Sequence, residues 1–464
     1  MPIDTEAMVT AALKRAKLSE QQARMKLAGK AIDFYNYKQK EYTLDTLSVR
    51  FPKTYDKLGR YLRTFPITQE LIDDISILFK RPAEITAVDT SDAVANLFQT
   101  EIVAKPNLNP ILLQTHRYVN LVGKTGILCR WYEAGQQIEY VILTPDKCMV
   151  LQDPDSPTHI VALLYPKNQM TDSYTSAIPV NRWHMITDKY RYEIELTNST
   201  NGYRILTQED NPYGVIPVAW FTNNCETDSF WTDKDNPYVD GNIDYNVGKT
   251  LQALAIAYQM YSTLVTIGMP KEQTLEWGVT SWLNLPNEFM DKTAPDAKFI
   301  TPDAKFNECN QIFENDINAL ASYAGISAEA YRKQNSSFQS GYAIKLSKAD
   351  VYEQNELDKV WFTKSIKDLM LIACKVYSEH MNNTLASVKN ISVTYPPVQI
   401  ERDRAEVLQE RSTERMLGIG DPLLWIMQDY DIDETAAKAM LDGIRQRANQ
   451  YNPMTDDFNA EDNA

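Results

Sequence analysis

The residues that usually build active sites are scarce in this chain. Only four histidines occur in 464 residues, His116, His159, His184 and His380. None has another histidine three or four positions away, the spacing that lets one helix face hold a metal. Each reads as a surface or core histidine. The five cysteines, Cys129, Cys148, Cys225, Cys309 and Cys374, are odd in number, scattered, and never spaced as CxxC. That excludes a disulfide frame and a zinc ribbon and leads us to expect reduced, buried thiols. No GxSxG elbow is present, and no cysteine sits in a nucleophile signature. Two stretches imitate a phosphate-binding loop, Gly123-Lys124-Thr125 and Gly248-Lys249-Thr250, but the glycine required five residues before the second one is replaced by Tyr118 and Ile243. The first is expected as a strand-entry turn and the second as the start of a helix.

Positive charge is also short. Lys and Arg number 47 against 62 Asp and Glu, a net charge of -15. A protein that grips DNA phosphates needs a basic footprint to displace condensed counterions. None is visible in this balance, so DNA, if a partner, should slide past. The opening MPIDTEAMVTAALKRAKLSE lacks a basic flank followed by an apolar run and reads as mature protein made inside the cell; Asn198-Ser199-Thr200 is then a chance glycosylation match. The longest uncharged stretch, Thr250 to Pro270, approaches the roughly 20 residues that span a bilayer. Gln252, Gln259, Thr263 and Thr266 recur as one helical stripe opposite Leu251, Leu254, Ala255, Tyr258 and Val265, which predicts a packed helix with a polar face instead.

What remains is ordinary globular usage, 44% hydrophobic and 23% charged, in a chain long enough for two to four units at roughly 100 to 200 residues each. Residues 5 to 40 predict one or two helices, interrupted at Gly29. TQELIDDISILFK, 68 to 80, predicts a helix capped by Thr68 and stopped at Arg81-Pro82. From about 122 to 222 the chain turns to short runs rich in Val, Ile, Tyr and Thr. GILCRWYEAGQQIEYVILTP predicts a hairpin across Ala134-Gly135, IVALLYP, YRYEIEL and GYRILTQ predict further strands, and the prolines of NPYGVIPVAWFTNN place it in a loop or on an edge. Helix returns from about Asp240 to Ile267. WGVTSWLNLP and AKFITPDAKF are candidate strands. A second helix, Asn310 to Ala324, carries Ile312, Phe313, Ile317 and Leu320 on one face. After the polar loop SAEAYRKQNSSFQSG, a helix of about forty residues is expected from Tyr342 to Met381, with Leu357, Val360, Trp361, Leu369, Ile372, Ala373 and Val376 buried. ISVTYPPV is strand-like, and residues 401 to 449 predict two or three helices broken at Gly418-Ile419-Gly420-Asp421-Pro422. The tail MTDDFNAEDNA is acidic. No internal repeat is found.

These blocks, in this order, resemble the portal proteins of tailed bacteriophages. NPYGVIPVAWFTNN with VDGNIDYNVGKTLQAL is similar to the family's entry into its stem helix. AKFITPDAKFNECNQIFENDINALASYAGIS is similar to the strand and helix leaving the clip, and SGYAIKLSKADVYEQNELDKVWFTKSIKDLM to the long helix after the tunnel loop. GIGDPLLWIMQDYDIDETAAKAMLDGIRQR resembles the crown. The likeness spans about residues 30 to 450. It implies an α+β subunit with a mixed wing (1 to 235), stem helix (236 to 268), clip (269 to 309), returning stem helix (310 to 325), tunnel loop (326 to 340), long wing helix and strand (341 to 400) and helical crown with acidic tail (401 to 464). It further implies a homo-oligomeric ring of twelve, double-stranded DNA passing through it without sequence specificity, and docking of terminase, adaptor and head-completion proteins, capsid and scaffolding proteins. The place would be the virion's portal vertex, after assembly in the host cytoplasm, with no cofactor, no metal, no membrane and no catalytic residue.

For individual residues, the resemblance implies that Glu329, Tyr331, Arg332, Lys333, Gln334, Asn335, Ser336, Ser337, Phe338 and Gln339 form the channel loop, that Glu314 lines the channel, and that Trp277 and Trp282 serve docking at the clip. On residues alone, 329 to 339 is a plain solvent-exposed loop and the tryptophans are packing residues. Two other readings stay open from the residues: a soluble hydrolase using a carboxylate pair drawn from the many acids, and a membrane-associated assembly protein.

Overall fold

The computed structural model describes residues 19–153, 156–167, 182–196, 203–224, 229–231, 236–259, 263–267, 282–285, 296–300, 305–326, 349–381, 384–396, 404–430 and 432–451. The chain mixes helix and sheet, as an α+β reading expects. It divides into a large unit, 1–334 with 347–397, and a small one, 335–346 with 398–464.

The large unit opens with helices α1 (Ser19–Tyr35), α2 (Lys40–Arg50) and the short α3 (Tyr55–Leu58), which tightens into a 3-10 turn over Gly59–Tyr61, followed by α4 (Ile67–Ile75). Gly29 does not interrupt α1. Its propensity cost of about 1 kcal/mol is outweighed because Ala28, Ala31, Ile32 and Phe34 around it are all buried. Helix α4 starts one residue before the expected Thr68 and stops five residues short of the expected end. Pro66 precedes its first residue, Thr68 lies inside it, and it ends seven residues before Pro82. Asn355, far away in sequence, donates its side-chain amide to the Ile75 carbonyl at 3.1 Å and Asn120 donates to Ser76 Oγ at 2.9 Å. These remote partners satisfy the helix end, so Leu78 and Phe79 reach the core from irregular backbone.

Strand β1 (Glu84–Val88), α5 (Asp92–Phe98) and α6 (Leu108–Val122) lead into β2 (Lys124–Tyr132) through Gly123, whose φ of +82° ends α6. The first loop imitation is thus the expected turn into a strand. β2 forms the predicted hairpin with β3 (Gln137–Leu143), Gly126 facing Leu143 and Tyr132 facing Gln137. A second, five-stranded antiparallel meander follows: β4 (Met149–Asp153), β5 (Ser156–Pro166), β6 (Arg182–Thr187), β7 (Tyr190–Leu196) and β8 (Tyr203–Asp210). β9 (Val218–Thr222) then returns to pair with β2 at the edge of the first sheet. The edge position suits Pro217, which has no amide to donate; its carbonyl accepts from Cys129 N–H at 2.8 Å.

Helix α7 (Pro237–Gln259) ends eight residues earlier than expected. Thr263–Ile267 is instead β10, the centre of a sheet with β11 (Trp282–Leu285), parallel, and β12 (Asp296–Ile300), antiparallel. Four of the five residues of TLVTI are β-branched, which suits a pleated strand better than a helix, so Thr263 and Thr266 do not share a helical stripe with Gln252. Helix α8 (Phe306–Tyr323) returns. The long helix α9 (Ala349–Met381) and β13 (Asn390–Thr394), antiparallel to β1, complete the unit; residues 342 to 348 of the expected long helix lie outside the described residues. Phe362, Ile366, Leu369, Met370, Ala373 and Val376 of α9 pack against β2, β3, β9 and α6 as the main core. Leu357 and Val360, expected inside, are 56% and 71% exposed, and Ile312 of α8 is 57% exposed. Cys129, Cys148 and Cys374 are buried free thiols, but Cys309 is exposed, against expectation; burial pushes Cys374 up to about 12. Cys225 lies outside the described residues.

The small unit holds three helices, α10 (Arg404–Met416), α11 (Pro422–Tyr430) and α12 (Glu434–Tyr451), broken where expected, with Gly418 at φ +72°. Arg411 grips Asp429 with two 2.6 Å hydrogen bonds, and Trp425 donates to Glu414. The acidic tail lies outside the described residues.

Candidate functional site

Helix α7 joins the parts of the large unit through two different stripes. Asn242, Asn246 and Thr250, four residues apart, share one face and are fully buried. They clamp the extended segment that precedes α4. The amides of Arg63, Phe65 and Thr68 donate to Thr250 Oγ1 (3.0 Å), Asn246 Oδ1 (3.0 Å) and Asn242 Oδ1 (3.1 Å). In return Asn242 donates to the Phe65 carbonyl at 3.0 Å, and Asn246 to Gln39 Oε1 at 3.0 Å. Side-chain amides here supply what a neighbouring strand would otherwise give to buried backbone. Thr68, expected as a helix cap, bonds Asn242 and the Tyr238 carbonyl instead.

The second stripe is Gly241 and Gly248, seven residues apart. A methyl on Gly241 would lie 2.7 Å from Leu320 of α8, and one on Gly248 would run into the Phe313 ring. The two helices run antiparallel and close together because these notches accept the two large side chains. Tyr245 meets Phe313 edge-on at 5.7 Å and Tyr238 meets Tyr323 at 5.8 Å. Lys249, from the second loop imitation, sits 4.3 Å from the Phe313 ring centroid and donates to Asn310 and Gln252. Its hydrogen bonds and ring contact make it a packing residue. Burial lowers its pKa, against the opposing charges of Glu314 and Cys309; burial also raises Tyr238 to about 12.

A third feature links α6 to α9. His116 Nε2 lies 3.1 Å from Asp358 Oδ2, both side chains at most 1% exposed, and Gln354 donates to the other carboxylate oxygen at 3.0 Å. Beside them a cavity of about 410 Å³, lined by Tyr238, Tyr323, Asp350 and Gln354 among others, marks where the ends of α7 and α8 meet the start of α9. Among the described residues, no group of three His, Cys, Asp or Glu side chains is arranged to hold a metal ion, and no helix is long and apolar enough to cross a membrane.

Of the residues singled out in the sequence, Glu314 stands exposed on α8, where its charge adds to burial in raising the Tyr245 pKa and opposes the burial that lowers Lys249. Trp282 opens β11, opposite Leu264 of β10. Trp277 and the whole stretch Glu329, Tyr331, Arg332, Lys333, Gln334, Asn335, Ser336, Ser337, Phe338 and Gln339 lie outside the described residues. Sequence reasoning missed the clamp and the notches, although DGNIDYNVGKT shows both spacings, asparagines four apart and glycines seven apart.

Along the chain run a mixed α/β body, a helix, a three-stranded sheet, a returning antiparallel helix and a long buried helix. A family model, phage portal protein of the SPP1 Gp6-like type, matches residues 74–450. The chain belongs to this portal family. Portal proteins of this type are structural, and the chain has a portal or connector function. No curated protein matches it. Among solved structures, it is similar to a chain of the virion of a native gene transfer agent particle, at 12% identity and a TM-score of 0.40, and to one in the neck of an empty gene transfer agent particle computed with C6 symmetry, at 11% and 0.44. In both cases 79% of this chain and 90% of the other are covered.

Proposed function

We propose that copies of this portal chain close into a dodecameric ring at one capsid vertex, through whose axial channel double-stranded DNA is packaged and later ejected. The observation that carries the reading is the family match across 74–450. The antiparallel pair α7 and α8 is the stem, and β10 to β12 at its end belong to the clip, the docking place for terminase and head-completion proteins, where Trp282 and Trp277 would meet a partner. Residues 326 to 340 form the tunnel loop between stem and long helix, with Arg332 and Lys333 touching phosphates while acids such as Glu314 disfavour tight capture. The small helical unit is the crown. The net charge of -15 suits a conduit that repels the polyanion it passes. The place is the virion, and no catalytic step is assigned to any residue.

Negative-stain electron microscopy of the purified chain tests this directly. End-on rings with a central hole and roughly twelvefold symmetry are expected from closed heterologous contacts. Monomers or dimers at high concentration would sink the proposal.

A further inference from the structure

A closed ring needs two different faces on each subunit that fit each other, and in a chain of net charge -15 those faces must differ in charge or copies repel. The overall balance hides such a segregation. Residues 38 to 63 hold seven basic residues, Lys38, Lys40, Arg50, Lys53, Lys57, Arg60 and Arg63, against three acids, Glu41, Asp45 and Asp56, a surplus of four. All seven basic residues are exposed, and Val49 among them is 80% exposed. Helix α8 is the opposite case. It has no Lys or Arg, and Glu308, Ile312, Asp316, Ala319 and Tyr323, spaced four, four, three and four, form one stripe beside the one that carries Phe313 and Leu320, its Tyr323 end meeting Tyr238 of α7. All five are exposed, with Ile312 at 57% and Tyr323 at 63%, while Ala321 is the one buried residue of the helix.

Both faces are fixed to the same stretch of α7. Arg50 pairs with Asp244 at 2.8 Å and the Arg63 amide with Thr250, while Leu320 and Phe313 fill the notches at Gly241 and Gly248. The basic and acidic faces therefore sit at one level along α7 and on different sides of it.

We propose that the acidic stripe of α8 docks on the basic face of α2 and α3 of a second copy of this chain, Ile312 against Val49 and Glu308 and Asp316 against the basic residues around Lys53 and Arg60. This rests on the ring reading given above. Complementary charge steers the encounter and fixes the register, and apolar contact at the centre holds it.

The test is a charge swap read by mass photometry and negative stain. Lys53→Glu with Arg60→Glu, and separately Glu308→Lys with Asp316→Lys, are each expected to weaken ring assembly on the order of a hundredfold, with the monomer's melting curve unchanged. A chain carrying all four changes recovers rings, because each reversed face meets a reversed partner. Val49→Ser and Ile312→Ser alter no charge and are each expected to weaken assembly as well. Single-face reversals that assemble like the unmodified chain, or a four-change chain that is folded but stays monomeric, overturn this interface and leave the ring reading standing. A basic-face reversal that keeps the rings but lowers salt-sensitive retention of double-stranded DNA assigns that face to DNA and also overturns it. Absence of rings from the unmodified chain overturns the ring reading and the interface together.

Discussion

Helices α9 and α8 share a chain and have opposite surroundings. α9 buries twelve of its 33 residues, several of them beneath both sheet and helix; α8 buries one of its 18. The first builds the subunit. The second is held by two notches and a few ring contacts, and turns most of its surface outward. What a helix buries within one chain and what it leaves bare separate the work of folding from the work of assembly, so perturbing the two should give different readouts.

The largest stability effect should come from α9. Phe362 is fully buried and its ring lies 5.6, 5.1 and 5.3 Å from those of Phe79, His116 and Phe221. Phe362→Ala should cost about 3–5 kcal/mol, seen as a lowered midpoint in chemical denaturation. Ile312→Ala on α8 should change the monomer by less than about 0.5 kcal/mol. Equal losses for the two would erase the contrast.

Between these extremes stands the clamp on α7. Asn246→Ala removes the acceptor of the Phe65 amide, in a part-buried setting, and the donor to Gln39, in a buried one. The expected loss is about 1–3 kcal/mol, with hydrogen exchange of the Phe65 amide accelerating well before global unfolding. Protection of that amide unchanged in the variant would show that the clamp does not hold the segment.

Local signals were legible in the sequence where the partners are near in the chain. The β2–β3 hairpin follows from the alternation either side of Ala134-Gly135, and the edge position of β9 follows from Pro217. Where a boundary depends on a distant residue, local pattern misplaces it. α4 stops at Ile75 because Asn355, 280 positions away, takes its carbonyl, and no periodicity near residue 75 can show that. The end of α7 was missed because TLVTI is apolar enough to extend the helix pattern, and only pairing with β11 and β12 makes it a strand. At the candidate site the expected loop and Trp277 lie outside the described residues, whereas the clamp was hidden because asparagine on a buried helix face has meaning only once its remote backbone partner is known.

The notch side of α7 gives a smaller and sharper test. Gly248→Ala sets a methyl into the Phe313 ring, a strain of about 1–3 kcal/mol, but also gains about 1 kcal/mol of helix propensity. The net loss should be small. In a double-mutant cycle with Phe313→Ala, however, the pair should couple by about 0.5–3 kcal/mol, since the strain vanishes when the ring does. Additive effects would mean that the helices do not meet at this notch.

The smallest effect should be regional and acid-dependent. His184 and His380 belong to the sheet side of the large unit, while α7 and α8 contain no histidine. His380, at the end of α9, stacks on Trp131 at 4.9 Å and bonds Tyr213 at 2.9 Å; burial lowers its pKa below 6.5, with Glu133 and Glu379 opposing and Arg191 assisting. His184 is lowered for the same leading reason, with Lys167 next. A folded pKa below the unfolded one means that the unfolded chain takes the proton first on acidification. Stability from these groups is therefore complete above about pH 6.5 and is lost as pH falls toward the folded values. Hydrogen exchange at about pH 7.5 and about 5.5, corrected for intrinsic rate, should show β2, β6 and the end of α9 loosening more than α7. His380→Gln should remove part of that difference. Loosening spread evenly over α7 would point to carboxylates, and the two regions would no longer differ in their answer to acid.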